Sequence, residues 1–243
     1  MNAGGAYRNG HERLVVSKNA VPPGGRKLTV NVKTAKKRSP ASAEWLRRQL
    51  NDPYVVAAKQ QGWRSRAAFK LLEMDDRFHM IARDARVIDL GAAPGGWAQV
   101  AVRRGAARVI GVDLLPMDPI SGTTLIQGDF NDPDMPERLA SELGGKADLV
   151  LSDMAPNTTG HSATDHLRIM ALAELAAHFA REVLAPEGSF VAKVFQGGSE
   201  RAMLDALKRD FTSVRHAKPP ASRKESSELY VVAMGFRGGS ASD

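Results

Sequence analysis

The stretch Val87-Ile88-Asp89-Leu90-Gly91-Ala92-Ala93-Pro94-Gly95-Gly96-Trp97 constrains this chain more than any other. An apolar run ends in a carboxylate. A turn of small residues follows, and Trp97, Val100 and Ala101 then recur at helical spacing. A strand, a tight loop and a helix N-terminus, in that order, open a nucleotide-binding α/β sheet. Small residues let a ligand approach the backbone closely, and the helix start presents unpaired N–H groups.

The loop contains neither G-x-G-x-x-G nor the G-K-[ST] of a P-loop, and it holds no basic residue for a phosphate. Asp89 stands at the strand end instead, where an ammonium or sulfonium would be welcome. The run Arg108-Val109-Ile110-Gly111-Val112-Asp113 ends in a second acid, 24 residues after Asp89, where an acid suits a ribose diol. The run from Thr123 to Asp129 ends in a third, placed for an adenine amino group. Taken singly, each acid reads as an ordinary strand-end cap. The ordered set, without a phosphate grip, points to S-adenosylmethionine.

Strand and helix patterns then alternate. Helices are expected near 95–104, 133–144, 165–184 and 199–210. Strands are expected near 86–90, 108–113, 123–127, 147–152, 188–195, 213–217 and 229–236. This alternation predicts an α/β fold, Rossmann-like, with a mostly parallel seven-stranded sheet and helices on both faces. The polar, Pro-containing connection from Lys218 to Glu228 is cramped for a right-handed parallel crossover, so the last strand should run antiparallel.

Charge is unevenly spread. Residues 1–40 hold nine Lys/Arg against Glu12 alone, while the remainder holds 25 basic and 26 acidic residues. The first 40 residues cannot bury enough apolar surface to fold alone, so a disordered basic extension is expected there. It reads as a solvated tail or a polyphosphate-binding arm, with a transit peptide as a third option. Residues 41–238 are expected to form one domain, with 239–243 a short tail. Zero cysteine excludes disulfides and zinc-thiolate sites, and no stretch approaches a membrane span.

Residues 43–80 look helical. Trp45, Leu46 and Leu50 share one apolar face. Asp52-Pro53 reads as an N-cap with proline at the first helical position, Gly62 as the stop, and Ser65 as the next N-cap. Six basic residues and one acid lie between Trp45 and Leu71, interleaved with aromatics, which suits nucleic acid; Arg64, Arg66 and Lys70 are the expected contacts.

Two positions break local rules. Lys193 lies inside Ser189-Phe190-Val191-Ala192-Lys193-Val194-Phe195, and a central parallel strand should be apolar on both faces. Burying a lysine is costly unless it is paired, and burial lowers its pKa. An edge strand with Lys193 in solvent is the other reading. Asp153 ends the run from Ala147 to Ser152, as a ligand-edge acid or as a turn cap. If the last strand is antiparallel, its start brings Glu228 to the same sheet edge.

Asp-Leu-Gly-Ala-Ala-Pro-Gly-Gly-Trp (89–97), Asp-Leu-Leu-Pro-Met-Asp-Pro (113–119), Gln-Gly-Asp-Phe (127–130), Ser-Asp-Met-Ala-Pro-Asn (152–157) and Lys-Val-Phe-Gln (193–196) resemble the FtsJ/RrmJ (RlmE) family of ribosomal RNA 2′-O-methyltransferases. The resemblance runs in order from about Ser42 to Arg237. It implies a catalytic tetrad at Lys70, Asp153, Lys193 and Glu228, and contacts to S-adenosylmethionine at Gly95, Trp97, Asp113, Asp129 and Asp153. It also implies a uridine 2′-hydroxyl in the A loop of large-subunit ribosomal RNA, within an assembling or assembled subunit. The long basic N-terminus departs from the family pattern. The expected setting is a monomer in the cytoplasm, bound to ribosomal RNA, with no membrane and no metal.

The residues also bear on chemistry directly. Methyl transfer to oxygen is a displacement that depends on alignment and on removing the hydroxyl proton. Lys193, if neutral, could accept that proton. Asp153 would orient Lys193 and hold the cofactor, and Glu228 would orient the lysines or the ribose. Without cysteine there is no thiolate for carbon-5 pyrimidine methylation, and 152–157 lacks the Asn-Pro-Pro pattern that resembles amino-group methyltransferases. A transfer RNA or cap substrate, a ribosome assembly factor with incidental catalysis, and an NAD-dependent enzyme remain as rival readings. The last is disfavoured by the missing glycine fingerprint.

Overall fold

A computed structural model describes residues 39–156, 160–195, 201–223 and 226–238. The expectations for residues 1–38 and 239–243, for Asn157 and Gln196, and for the Trp45 side chain lie outside the described residues. The chain divides into two units, residues 1–51 and 52–243. In the first, helix α1 (Pro40–Leu50) is capped by Ser39, whose hydroxyl accepts from Ser42 N.

The second unit opens with α2 (Pro53–Gln61). As expected, Asp52 is its N-cap, Pro53 starts it, and Gly62 ends it in the left-handed region. The α3 helix (Ala67–Phe78) departs from expectation: its N-cap is Arg66, with no side-chain cap bond. Ser65 does not cap because its hydroxyl is buried against Gly96, where an added Cβ would lie 2.6 Å away.

The rest follows as β1 (Arg86–Leu90), α4 (Gly96–Arg103), β2 (Arg108–Asp113), β3 (Thr123–Gln127), α5 (Met135–Leu143), β4 (Ala147–Ser152), α6 (Ser162–Val183), β5 (Leu184–Phe195), α7 (Arg201–Asp210), β6 (Phe211–Ala217) and β7 (Glu228–Phe236). The seven strands lie in the order β3-β2-β1-β4-β5-β7-β6. Pairing is parallel through β5, and β7 runs antiparallel to both β5 and β6. β5 begins four residues earlier than expected, because the register shift between Ala147 and Leu149 on β4 absorbs Pro186-Glu187-Gly188 as an irregularity.

Alternation divides the core. Ile88, Leu90, Ile110, Val112, Val150, Ala192, Val194 and Val231 pack with α5, α6 and α7. Their odd-register neighbours, among them Val87, Val109, Leu151, Val191 and Val232, are equally buried and belong to the opposite face, where α4 lies on β1 and β2 and carries α3. Lys193 and Tyr230 have that second register, so they belong to the face that α3 supplies with Lys70. Among the described residues, no helix is long and apolar enough to cross a membrane.

Candidate active site

The carboxyl ends of β1, β2 and β4 surround a cavity of about 390 Å³. Asp113 and Asp129 stand on its wall. Val112, Leu114, Phe130, Met154 and Leu172 give it an apolar surface, and Asn131 and Arg168 add polar groups. The size falls in the range of small-molecule sites. Gly91 also lines it. Its φ of +76° and the approach of Met154 backbone, 2.8 Å from where a Cβ would stand, leave room for glycine only.

Of the five predicted cofactor residues, Asp113 and Asp129 line the cavity, Asp153 adjoins it through Met154, and Gly95 and Trp97 stand apart. Asp113 is held by backbone donors: Oδ2 accepts from Ala93 N (3.0 Å) and Oδ1 from Leu115 N (2.9 Å). Asp129 Oδ1 accepts from Asn131 N and Nδ2 (2.9 and 2.7 Å). Each carboxylate keeps acceptor capacity for a ligand. Gly95 and Trp97 do not line the cavity. Gly95, at φ +102°, is covered by Ile120 and Arg64, and Trp97 is buried with Nε1 donating to Ala67 O at 2.8 Å.

Asp89 is not at the ligand edge, contrary to the sequence expectation. It is only 1% exposed and pairs in register with Gly111 and Leu151 inside the sheet. Neither oxygen has a fully formed hydrogen bond among the described residues, though the backbone N–H of Ala98 faces the carboxylate. Burial, followed by the charges of Asp153 and Asp113, pushes its pKa up to about 8.

On the neighbouring part of the same edge, the structure brings Lys70, Asp153, Lys193 and Glu228 together as two ion pairs. Lys193 Nζ donates to Asp153 Oδ1 at 2.8 Å and to its main-chain oxygen at 2.6 Å. Lys70 Nζ meets Glu228 Oε1 at 2.7 Å. Lys193 is 8% exposed and in a central strand, so the edge-strand reading does not hold. Burial raises the Asp153 carboxyl's pKa, but the Lys193 and Lys70 cations and the bonds from Lys193 and Tyr230 outweigh it and leave the pKa low.

Tyr230 joins the pairs, and sequence reasoning passed over it. Its hydroxyl donates to Asp153 Oδ1 (2.8 Å), lies 3.3 Å from Glu228 Oε1, and accepts from Lys70 Nζ (3.0 Å). Burial, then the neighbouring carboxylates, holds its pKa well above the usual phenol value. A signal was present: Tyr230 follows Glu228 by two residues and is the register partner of Lys193, so strand alternation puts all three on one face.

The basic residues Arg64, Arg66 and Lys70 lie beside this edge, but internal partners occupy all three. Arg64 donates to the carbonyls of Pro94, Asp118 and Pro119. Arg66 pairs with Asp52 and donates to Ala221 O. The Arg64 and Arg66 heads act as struts between loops, and all three side chains stay partly exposed beside the edge.

Residues 63–236 match the FtsJ-like methyltransferase family. A protein from Granulibacter bethesdensis named ribosomal RNA large subunit methyltransferase E is 72% identical over 216 residues, covering 89% of this chain and 94% of the relative. One of the same name from Gluconobacter oxydans is 68% identical, covering 87% and 79%. A solved structure from Plasmodium falciparum, named as a ribosomal RNA methyltransferase, superposes with a TM-score of 0.65 at 30% identity. That match covers 73% of this chain and all of the other. The acid-walled cavity and the paired lysines thus occur in a chain that belongs to the FtsJ-like methyltransferase family.

Proposed function

We propose that this protein methylates a uridine ribose 2′-hydroxyl in the A loop of large-subunit ribosomal RNA, taking the methyl group from S-adenosylmethionine, as a monomer in the cytoplasm. One observation carries the reading: two lysine–carboxylate pairs joined by one tyrosine hydroxyl, beside a cavity walled by Asp113 and Asp129. The names of the relatives support the choice of RNA.

The cavity fits the cofactor in chemistry. Acids suit a ribose diol and an adenine amino group, and apolar walls suit the uncharged parts. When bound, the cofactor supplies a methyl group on a sulfonium, a carbon open to in-line attack. Asp113 and Asp129 would hold its nucleoside. Lys193 removes the hydroxyl proton. Two Asp153 oxygens, at 2.6 and 2.8 Å, hold Lys193 Nζ in place. Asp153 thereby orients the base, while Glu228, Tyr230 and Lys70 fix the other side of the site. The proton passes from Lys193 to water after transfer.

Mapping 2′-O-methyl sites in ribosomal RNA from cells with and without the protein tests this reading. A single A-loop uridine should lose its mark. A mark lost from transfer RNA instead, or no change, sinks it. The basic residues 1–40 are proposed as a phosphate-binding arm. Deleting them should lower RNA affinity and flatten its salt dependence; an unchanged salt slope excludes that role.

A further inference from the structure

The connection between β6 and β7 has no helix or strand where it is described, yet Ala221 is fully buried and Ser222 nearly so. A buried loop must find partners for its backbone. Ala221 finds both in side chains of the opposite layer. Its N–H donates to Glu73 Oε2 at 2.7 Å, and its carbonyl accepts from Arg66 Nη2. Those side chains are anchored in turn. Arg66 Nη1 pairs with Asp52 Oδ2 at 2.9 Å, and the Tyr54 hydroxyl donates to Glu73 Oε1 at 3.1 Å.

The next residue reaches the tetrad. Ser222 Oγ lies 3.1 Å from Glu228 Oε1, the same oxygen that meets Lys70 at 2.7 Å. Lys70 and Glu73 are one turn apart on α3 and so lie on one side of it. A single helix therefore supplies the cation for Glu228 and also sets the height of the loop whose hydroxyl steadies that carboxylate. Hydrogen bonds of this kind weaken steeply with small displacements.

We infer that Glu73 and Arg66 are positioning residues for Glu228, acting through the Ala221–Ser222 strap. They touch no reacting atom. The inference rests on the methyl transfer proposed above, so its test includes one readout that needs no turnover.

The experiment uses the full chain with large ribosomal subunits and labelled cofactor. Glu73→Ala should lower kcat by about tenfold, the loss expected for one buried hydrogen bond, with KM for subunits and cofactor affinity unchanged. Glu73→Gln should restore it, because the carboxamide oxygen accepts from Ala221 and its NH₂ donates to the Tyr54 oxygen. Ser222→Ala should lower kcat while leaving the strap's own bonds intact, and it decides the question if Glu73→Ala does not fold. In a Glu228→Ala background, neither change should cost much more, since coupled residues are not additive. The carbon-13 resonance of the Glu228 carboxyl should move in Glu73→Ala and Ser222→Ala and return in Glu73→Gln. Additive losses, a fall in thermal stability with kcat intact, or an unmoved Glu228 resonance overturns the inference. A parent that methylates no RNA but shows the resonance shifts overturns the proposed function and leaves the strap standing.

Discussion

Asp89 lies in β1 and Asp153 directly follows the neighbouring strand β4; the first is fully buried and the second largely so. Asp153 has Lys193 at 2.8 Å, Tyr230 at 2.8 Å and the Lys70 charge beyond, and its carboxyl sits below its ordinary pKa. Asp89 has no such partner and is pushed up to about 8. Burial acts on both in the same direction, so the difference lies in the cations. One carboxylate is kept charged for work at the sheet edge. The other, beneath the loop that follows β1, is biased towards its protonated form.

Removing the cation's chemistry should have the largest effect. Lys193→Arg keeps a charge beside Asp153 but cannot readily give up a proton. If Lys193 is the base, methylation should fall by roughly 10²-fold or more, with cofactor and RNA binding nearly unchanged. A variant that keeps most of its activity moves the proton acceptor elsewhere. Asp113 is a third kind of carboxylate, on the cavity wall and tied only to backbone donors. Asp113→Ala should weaken cofactor binding by about 1–3 kcal/mol, read by calorimetry; equal affinity removes it from the site.

The pH dependence of stability separates the two acids. Between the ordinary value of 3.8 and about 8, the folded state holds a proton on Asp89 that the unfolded chain has lost. Its contribution therefore falls as pH rises through that window. Asp153 acts oppositely: its contribution is present above 3.8 and is lost as pH falls through its lower folded pKa. Asp89→Asn should match the parent below about pH 4 and exceed it by a growing margin as pH rises towards about 8. Parallel curves of melting temperature against pH contradict this. Tyr230→Phe should have the smallest effect, about 1 kcal/mol in the methylation barrier, because each ion pair survives without the hydroxyl. Full activity there makes the bridge ornamental to turnover.

Much of this was legible in the residues. The spans of β1 to β4 coincide with the apolar runs that end in Asp or precede small residues. Lys193 and Glu228 were legible as neighbours because one antiparallel strand returns the chain to the same edge. That Asp153 meets Lys193 was legible too, but the partner of Glu228 was not, since its meeting with Lys70 depends on how α3 is set against the sheet. Tyr230 reads as core in an apolar strand, and only register reveals its company. Ser65 looked like a cap because serine commonly is one, but packing against Gly96 decided otherwise. That Arg64 and Arg66 also tie loops together was not legible, since a sequence does not reveal which carbonyls lie within reach.

The strand order also bears on synthesis. β6 joins the sheet only through β7, and β7 is made last of all the elements. Until residues 228–236 leave the ribosome, Phe190 to Phe195 present an unpaired, largely apolar edge, the kind of surface that recruits other strands. The segment that covers that edge carries Glu228 and Tyr230. A nascent chain thus remains both adhesive and without Glu228 and Tyr230 of its proposed site until β7 is translated, and a single docking event ends both conditions together.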